Sequence, residues 1–273
     1  MENQIKVGKL TWANGNSYEG EYDENKQPHG KGTMNFPGGE IYEGEFKDGK
    51  ANGQGKMKFK TGNTYSGGWK DNKRCGHGRY DWNSDDEVKD ITTYEYGAQA
   101  NDGVKSKQSK KGNWYLGDWK DDKPAGHGKF FFAHLGGAIY EGAVSDWEPN
   151  GIGKMHWPTG SEYLGEMTSG AIDGKGIYIS GKTGIIYEGT WVDDVRQGYL
   201  VMKDCTLKTI YAGNWENNKM LDTDTVEDVT FLDGKRYSGC WVGNAPHGYG
   251  VMKYPDGRVI EGEWQDGLPP GLR

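Results

Sequence analysis

The sequence predicts an all-β fold, an elongated, twisted ribbon or solenoid of about ten or eleven stacked antiparallel β-hairpins. Three observations predict it. A five-residue motif recurs along most of the chain, the segments around it alternate with period two, and 46 glycines accompany 11 tryptophans and 17 tyrosines. A period of two is that of a β-strand, in which successive side chains point to opposite faces.

The motif is tyrosine, any residue, glycine, any residue and usually a second aromatic ring, as in "YEGEF" at Tyr42 and "YLGDW" at Tyr115. Its copies are 23 to 26 residues apart, except for one step of 50. Such a period indicates a repeat protein, in which each unit packs on its neighbours. The ten copies begin at Tyr18, Tyr42, Tyr65, Tyr115, Tyr140, Tyr163, Tyr187, Tyr211, Tyr237 and Ile260.

Each copy predicts one hairpin. A turn and a second alternating run follow the motif, for example "GKGTMNF" at residues 30–36, where Gly32, Met34 and Phe36 share one face. Glycine inside a strand marks a close approach by other groups, so we expect the missing side chains to leave room for rings. A lone hairpin is marginally stable in water, and the hairpins must therefore stack side by side.

Composition and charge narrow the class of protein. A hydrophobic fraction of 33% argues against a thick core, and the aromatic content argues against disorder. The net charge of −7 gives no electrostatic reason to bind nucleic acid. Three scattered cysteines and a start without an apolar stretch predict a soluble protein of a reducing, intracellular compartment.

The repeats form one predicted array with an interruption. Residues 1–82 hold the N-terminal repeats and residues 114–273 the C-terminal ones. Between them, residues 83–113 are either a degenerate repeat around Tyr94 and Tyr96, which we favour, or a charged insertion loop. A second irregularity at residues 220–234 lacks the glycine pair, so we expect the weakest stacking there.

The repeat resembles that of the MORN (membrane occupation and recognition nexus) family, whose unit reads approximately YEGEWKNGKRHGKGTYTYPDG. "YEGEFKDGKANGQGKMKFKTG" at residues 42–62 follows it closely, and the resemblance covers nearly the whole chain. It implies a curved single-layer ribbon with an aromatic-lined groove and a role in non-enzymatic scaffolding. Members serve in ciliary radial spokes, cytoskeletons and junctional membrane tethers, and as appendages of enzymes.

No catalytic, cofactor or metal site is predicted. "GIYISGKT" at residues 176–183 fits P-loop spacing, but its first half continues a repeat strand and the next strand follows, so the helix that a P-loop needs is missing. The histidines in "HG" turns and the recurrent glutamates, such as Glu19 and Glu43, follow the period of the repeat. We interpret them as parts of a solvated surface.

The predicted function is that of a scaffold that lays an extended or helical partner segment along the groove. The alternative for each candidate ring is that it only packs the repeats together. The expected setting is the cytoplasm, within a cytoskeletal or axonemal assembly of a cilium or flagellum. The candidate groove rings are Tyr42, Tyr65, Trp69, Tyr115, Trp119, Tyr140, Tyr163, Tyr187 and Trp191.

Other partners stay open. An exposed terminal edge strand predicts a homodimer through strand addition, although Pro269 and Pro270 would oppose pairing at the C-terminal end. Membrane tethering or phospholipid binding is the main rival function, with Lys105, Lys107, Lys110 and Lys111 as its basic patch. A third interpretation is the regulatory subunit of a separate enzyme.

Overall fold

The computed structural model describes residues 5–83, 111–221 and 223–271, and within them the chain is all-β. It forms 21 strands there, with one short 3-10 turn at Ala133–Leu135. The described residues divide into two compact units. Unit 1 comprises residues 5–83 and 111–148, and unit 2 comprises residues 149–221 and 223–271.

Unit 1 is a ladder of ten strands in which each strand pairs antiparallel with the next one in sequence. Even-numbered strands carry the tyrosine motif and odd-numbered strands carry the second run. The strands are β1 (Lys6–Thr11), β2 (Ser17–Tyr22), β3 (Pro28–Asn35), β4 (Ile41–Lys47), β5 (Lys50–Lys58), β6 (Thr64–Lys70), β7 (Lys73–Asp81), β8 (Trp114–Lys120), β9 (Lys123–Phe132) and β10 (Ala138–Ser145).

Unit 2 contains two antiparallel groups, one of strands β11 to β17 and one of strands β18 to β21. The strands are β11 (Glu148–His156), β12 (Glu162–Thr168), β13 (Ala171–Ile179), β14 (Ile186–Val192), β15 (Val195–Lys203), β16 (Thr209–Glu216), β17 (Lys219–Met220), β18 (Thr225–Thr230), β19 (Arg236–Val242), β20 (Ala245–Lys253) and β21 (Val259–Trp264).

Paired glycines make room for the tyrosine rings, as predicted. Gly44 of β4 lies opposite Gly55 of β5, and a Cβ atom on Gly55 would lie 2.5 Å from Cζ of Tyr42. The same contact recurs for Gly78 with Tyr65 and for Gly128 with Tyr115. The face that carries these rings and glycines is called the ring face below, and the opposite face is called the outer face.

Rings of successive hairpins interlock along the ring face of unit 1. Tyr42 makes edge-to-face contacts with Phe46 of its own strand at 5.0 Å and with Trp69 of the next hairpin at 5.1 Å between centroids. Tyr65 likewise contacts Trp69 at 5.2 Å and Trp119 at 4.9 Å. Each such pair contributes roughly 0.5–1.5 kcal/mol beyond the area it buries. This continuous chain of rings replaces a thick core.

The hairpin turns bond to one another in two alternative ways. Where the second strand starts with a residue that has a backbone N–H, the next turn supplies an Asn or Asp oxygen to accept it: Ala51 donates to Asn72 Oδ1 at 2.8 Å. In both cases the turn N–H donates to the carbonyl of that residue, from Asn72 to Ala51 at 3.1 Å and from Gly49 to Pro28 at 2.9 Å, but opposite Pro28 the turn carries Gly49, which has no side-chain acceptor. Proline offers no N–H, so no acceptor is needed.

The long step in the repeat period falls between two strands that pair directly with each other. Strand β7 pairs directly with β8, with Tyr80 opposite Tyr115, so no strand lies between them. The N–H of Trp82 donates to the Asn113 carbonyl at 3.0 Å, which closes the turn as in the other repeats. The degenerate repeat or insertion loop predicted for residues 83–113 lies, over residues 84–110, outside the described residues.

The irregularity predicted at residues 220–234 interrupts the pairing within unit 2. Strand β16 pairs with only two residues of β17, and the chain then starts the second group at β18. Trp241 of β19 donates its backbone N–H to the Asp224 carbonyl at 2.5 Å. At the last strand, Pro270 packs against Gly262, where an added Cβ atom would lie 2.9 Å from the proline Cγ.

Candidate functional site

The structure buries all nine candidate groove rings in the contacts between repeats. The largest exposed fraction among them is the 8% of Trp69, and Tyr65, Tyr115 and Tyr163 are 0% exposed. They lie on the ring face, as the sequence predicts, but they form its packed layer. A binding role for these nine rings stays a prediction.

The hydroxyl groups of the motif tyrosines are also engaged in the fold. The hydroxyl of Tyr42 donates to the Glu45 carbonyl at 3.0 Å, and that of Tyr140 donates to the Ala143 carbonyl at 2.7 Å. Burial raises the pKa of Tyr140 to about 12. The Tyr42 hydroxyl therefore bonds to the bulge between Gly44 and Phe46 of its own strand.

Tyr187 departs from this pattern because Leu200 replaces the second glycine of its repeat. An added Cβ atom on Gly189 would lie 2.5 Å from Leu200 Cγ, so the leucine fills the usual place of the tyrosine hydroxyl. Arg196 and Trp241 approach that hydroxyl, but none of the described residues forms a hydrogen bond of good geometry with it. Burial raises the pKa of Tyr187.

Rings that remain half-buried gather around one arginine in unit 1. The Arg74 guanidinium carbon lies 5.8 Å from the ring centroid of Phe59, 5.7 Å from that of Tyr80 and 5.5 Å from that of Trp147. Trp82 completes the group, 4.8 Å from Tyr80 and 5.6 Å from Trp147. These five residues are called the Arg74 cluster. Rings in this arrangement attract a cation by their quadrupoles.

Arg74 is fixed by the turn of the next hairpin. Its Nε lies 3.1 Å from Asp122 Oδ1, and its Nη2 donates to the Asp122 carbonyl at 2.8 Å. The side chain is only 14% exposed, so the paired carboxylate offsets much of the cost of partial burial. Arg74 thereby holds the half-buried rings above the packed layer that contains Trp119, whose ring centroid is 4.7 Å away.

Trp147 occupies an unusual backbone position. It is the second residue of the turn between β10 and β11, and its φ of +73° lies in the left-handed region. Other turns have Gly49, Asn72 or Asn218 at this place, which are residue types that tolerate positive φ. Strain of this kind costs about 1–3 kcal/mol and persists where surrounding contacts fix it. Here the ring contacts Trp119 at 5.2 Å and Tyr80 at 5.2 Å.

Two indole N–H groups of the cluster are left without an acceptor among the described residues. The packed tryptophans donate theirs within the protein, Trp69 to the Gly55 carbonyl at 3.1 Å and Trp119 to the Gly78 carbonyl at 3.0 Å. Trp82 and Trp147 have no acceptor for the indole N–H among the described residues. Both rings are half-buried, so each presents an apolar surface and a donor together.

The Arg74 cluster was missed because the sequence prediction considered only the motif strands. Phe59 and Trp82 lie at the last position of the second run of their repeats, Tyr80 lies two residues before Trp82, and all three rings are half-buried. Trp147 does carry a recognisable signal, since a bulky ring stands where the other turns have Gly, Asn or Asp.

The P-loop-like segment has its backbone amides already bonded. Residues up to Ile179 form strand β13, and strand β14 begins at Ile186. Gly181 donates its N–H to Ser161 Oγ at 3.0 Å and Gly184 donates to the Ser180 carbonyl at 2.8 Å. A phosphate cradle needs such groups unbonded, and the Gly181 and Gly184 N–H groups are not.

The described part of the chain contains neither a candidate metal site nor a candidate membrane-spanning helix. No group of three or more His, Cys, Asp or Glu side chains there has the arrangement of a metal site. Recurrent glutamates instead pair with lysines, Glu141 with Lys129 at 3.3 Å and Glu188 with Lys203 at 2.8 Å. None of the helices found in the described residues has the length and apolar character needed to cross a membrane.

Comparison with known proteins finds relatives of part of the chain. It is 28% identical to the alsins of Rattus norvegicus, Mus musculus and Homo sapiens over 158 residues, or 46% of this chain. The match spans 9% of the length of those relatives. The TCP10 domain of Danio rerio CPAP superimposes with a TM-score of 0.38 at 12% identity, covering 94% of this chain and 99% of that domain. A Drosophila melanogaster SAS-4 TCP domain, solved with a proline-rich motif of Ana2, gives 0.22 at 9% identity, covering 94% and 90%.

The family model of the MORN repeat matches nine segments that together make up more than half of the chain. Eight of these matches start at a motif tyrosine, and the first one overlaps strand β1. MORN repeats are generally non-enzymatic modules that mediate protein or membrane interactions. The segments are residues 7–17, 18–41, 42–64, 65–87, 115–133, 140–162, 163–182, 187–199 and 237–257. The chain therefore belongs to the MORN repeat family.

Proposed function

We propose that the chain is a non-enzymatic scaffold that binds a segment of a partner protein on the ring face of unit 1, at the Arg74 cluster. The observation that supports this most is the pair of half-buried indoles, Trp82 and Trp147, whose N–H groups have no acceptor among the described residues. Aromatic side chains that combine area with a hydrogen-bond donor are the residues most enriched at binding hot spots.

The partner segment is extended or helical and lies along the ring face. Its apolar side chains pack on Phe59, Tyr80 and the two indoles, and its carbonyl groups accept the two indole N–H groups. The nine packed rings form the floor that keeps these residues in place, and Trp69 is the most accessible of them at 8%. Because the rings are already held by repeat packing, binding orders few side chains.

The proposed setting is a cytoskeletal or axonemal assembly in the cytoplasm, which rests on the roles of MORN-repeat relatives. Affinity purification of the tagged chain from its own cells tests it, with co-purifying proteins quantified by mass spectrometry. Axonemal or cytoskeletal proteins are the expected result. A catalytic subunit would support the enzyme-regulatory alternative, and flotation with phosphoinositide-containing vesicles would support the membrane alternative.

The binding site itself is tested with substitutions that the chain already uses at the same repeat positions. Ser180 stands at the position of Trp82, and Asn218 at the position of Trp147. The variant Trp82→Ser/Trp147→Asn should therefore keep its far-UV circular dichroism but lose its protein partners. The matched control is Trp157→Ser, the same change at the same position of a unit 2 repeat. Equal recovery of partners by all three proteins would refute the site.

A further inference from the structure

The polar groups that the Arg74 cluster leaves unpaired are hydrogen-bond donors. The indole N–H groups of Trp82 and Trp147 have no acceptor among the described residues. The one charge of the cluster is already balanced, because Arg74 is ion-paired with Asp122 at 3.1 Å and donates its backbone N–H to the same carboxylate at 2.9 Å. The complement of this surface, in hydrogen bonding and in charge, is therefore an uncharged segment that is rich in carbonyl acceptors.

The strands that carry the cluster present no free edge to a partner strand. Within the described residues, β5, which ends just before Phe59, is paired with β4 on one side and with β6 on the other. Strand β7, which contains Tyr80, is likewise paired with β6 and β8. Trp147 lies in a turn. Strand addition needs an exposed row of backbone N–H and C=O groups, so a partner in β conformation has no backbone groups to pair with here.

The backbone of a helical partner does not supply the acceptors that the two indoles require. Inside an α-helix each carbonyl accepts the N–H four residues further on, and only the last four carbonyls are free. A helix that lay across the rings would therefore cover the N–H groups of Trp82 and Trp147 without bonding them. Leaving a donor unpaired in an interface costs more free energy than a typical hydrogen bond contributes.

A polyproline II helix meets these requirements. It has no internal hydrogen bonds, so its carbonyl groups are free, and proline has no N–H that binding would leave unpaired. The ring of Tyr80 lies 5.8 Å from that of Phe59 and 5.2 Å from that of Trp147, between centroids. The path over these three rings is at most about 11 Å, which corresponds to three or four residues of polyproline II at about 3.1 Å each. Aromatic grooves that bind proline-rich segments use this chemistry.

We propose that the Arg74 cluster binds a proline-rich segment in the polyproline II conformation, whose carbonyl groups accept the indole N–H groups of Trp82 and Trp147. Proline rings of the segment pack on Phe59 and Tyr80. This inference rests on the proposed function, since it names the class of partner for the same site and excludes a helical one. Because proline holds the segment extended before it binds, little conformational entropy is lost on binding.

Decaproline is the probe, because it forms polyproline II without a partner. Titration of the full chain, labelled with 15N in its 11 tryptophans, follows each indole N–H by nuclear magnetic resonance. Two indole resonances should move downfield as they gain carbonyl acceptors, and these two should be missing from Trp82→Ser/Trp147→Asn. Trp157→Ser, the matched change in unit 2, should remove a different resonance and leave the affinity for decaproline unchanged.

The variants Trp82→Phe and Trp147→Phe separate the hydrogen bonds from the apolar contacts, because each keeps a ring and removes the donor. Each should weaken decaproline binding by roughly threefold to tenfold, whereas Trp157→Phe should not weaken it. All variants should keep the far-UV circular dichroism of the wild type. An alanine-rich helical peptide and a glycine–serine peptide should not bind at concentrations at which decaproline saturates the chain.

The outcomes separate the class of partner from the site itself. If Trp82→Ser/Trp147→Asn loses its cellular partners but wild type does not bind decaproline at up to roughly 2 mM, the site stands and the proline-rich class is overturned. Tighter binding of the helical peptide has the same meaning. Equal decaproline affinity of wild type, Trp82→Phe and Trp147→Phe also overturns the inference, because the indole N–H groups would then not bond to the segment. Equal recovery of cellular partners by wild type and Trp82→Ser/Trp147→Asn refutes the proposed function as well.

Discussion

A methyl group added at Gly55 should destabilise the repeat array, because it displaces the ring of Tyr42. Gly55 does not have a positive φ, so alanine creates no backbone strain there. Its Cβ atom, however, would lie 2.5 Å from Cζ and 2.6 Å from Cε2 of Tyr42. The ring is 2% exposed and is packed between Phe46 and Trp69, so it has no free space to enter.

The expected cost follows from what Tyr42 loses when its ring moves. A hydrogen bond to the Glu45 carbonyl contributes about 1 kcal/mol. Two edge-to-face contacts contribute about 0.5–1.5 kcal/mol each, and burial of the ring about 1.5–3 kcal/mol. Part of this is retained after a small shift, so Gly55→Ala should lower the free energy of unfolding by about 3–5 kcal/mol.

Urea unfolding followed by tryptophan fluorescence measures this loss. The matched control is Gly62→Ala, where no atom lies within 4 Å of the added Cβ but φ is +92°; backbone strain alone should cost about 1 kcal/mol there. In a Tyr42→Ala background, Gly55→Ala should cost less than about 1 kcal/mol, because its obstacle is gone. An equal penalty with and without the tyrosine would show that the glycines do not serve ring packing.

Three further outcomes are expected. Asn72→Gly removes the acceptor of the Ala51 N–H and should lower the free energy of urea unfolding by about 1–2 kcal/mol. Adding Ala51→Pro should recover part of this loss, because it removes the donor as well. Additive losses from the two substitutions would contradict the pairing of turn acceptor and strand donor. Arg74→Met should lower stability by roughly 2–3 kcal/mol through loss of the Asp122 contacts, and a thermal midpoint within a degree of wild type would argue against that role. Burial raises the pKa of Tyr140 from its usual value of about 10 to about 12, so the unfolded chain releases its phenolic proton first and stability should fall as pH rises from about 10 through 12. Absorbance at 295 nm would contradict this if all tyrosines ionised near pH 10 before unfolding.

The sequence was sufficient to predict the strands, because the period of two and the glycine spacing depend only on residues of a single hairpin. Tyr42 and Gly55 show this, because their contact depends only on neighbouring strands in the predicted register. The ring face was also predicted correctly. For each ring the sequence left packing between repeats and partner binding open, because the space around Trp69 depends on how closely the next hairpin approaches.

Features that depend on more than one repeat were missed. The residue pairs Pro28 with Gly49 and Ala51 with Asn72 can be read from the sequence. Their hydrogen bonds could be predicted only once it is known that each turn contacts the start of a neighbouring second strand. The unusual position of Trp147 could be recognised only once it is known that the second residue of this turn has a positive φ. The binding surface proposed here therefore departs from the repeat pattern, as functional sites often do.

Oxidative footprinting of the chain, alone and with its recovered partner, tests the central claim most directly. Hydroxyl radicals modify accessible indoles, and mass spectrometry reports each tryptophan separately. The proposal predicts that the partner protects Trp82 and Trp147 strongly and leaves Trp157 of unit 2 unchanged. Unchanged modification of both cluster tryptophans in a saturated complex, with protection elsewhere on the chain, would contradict it.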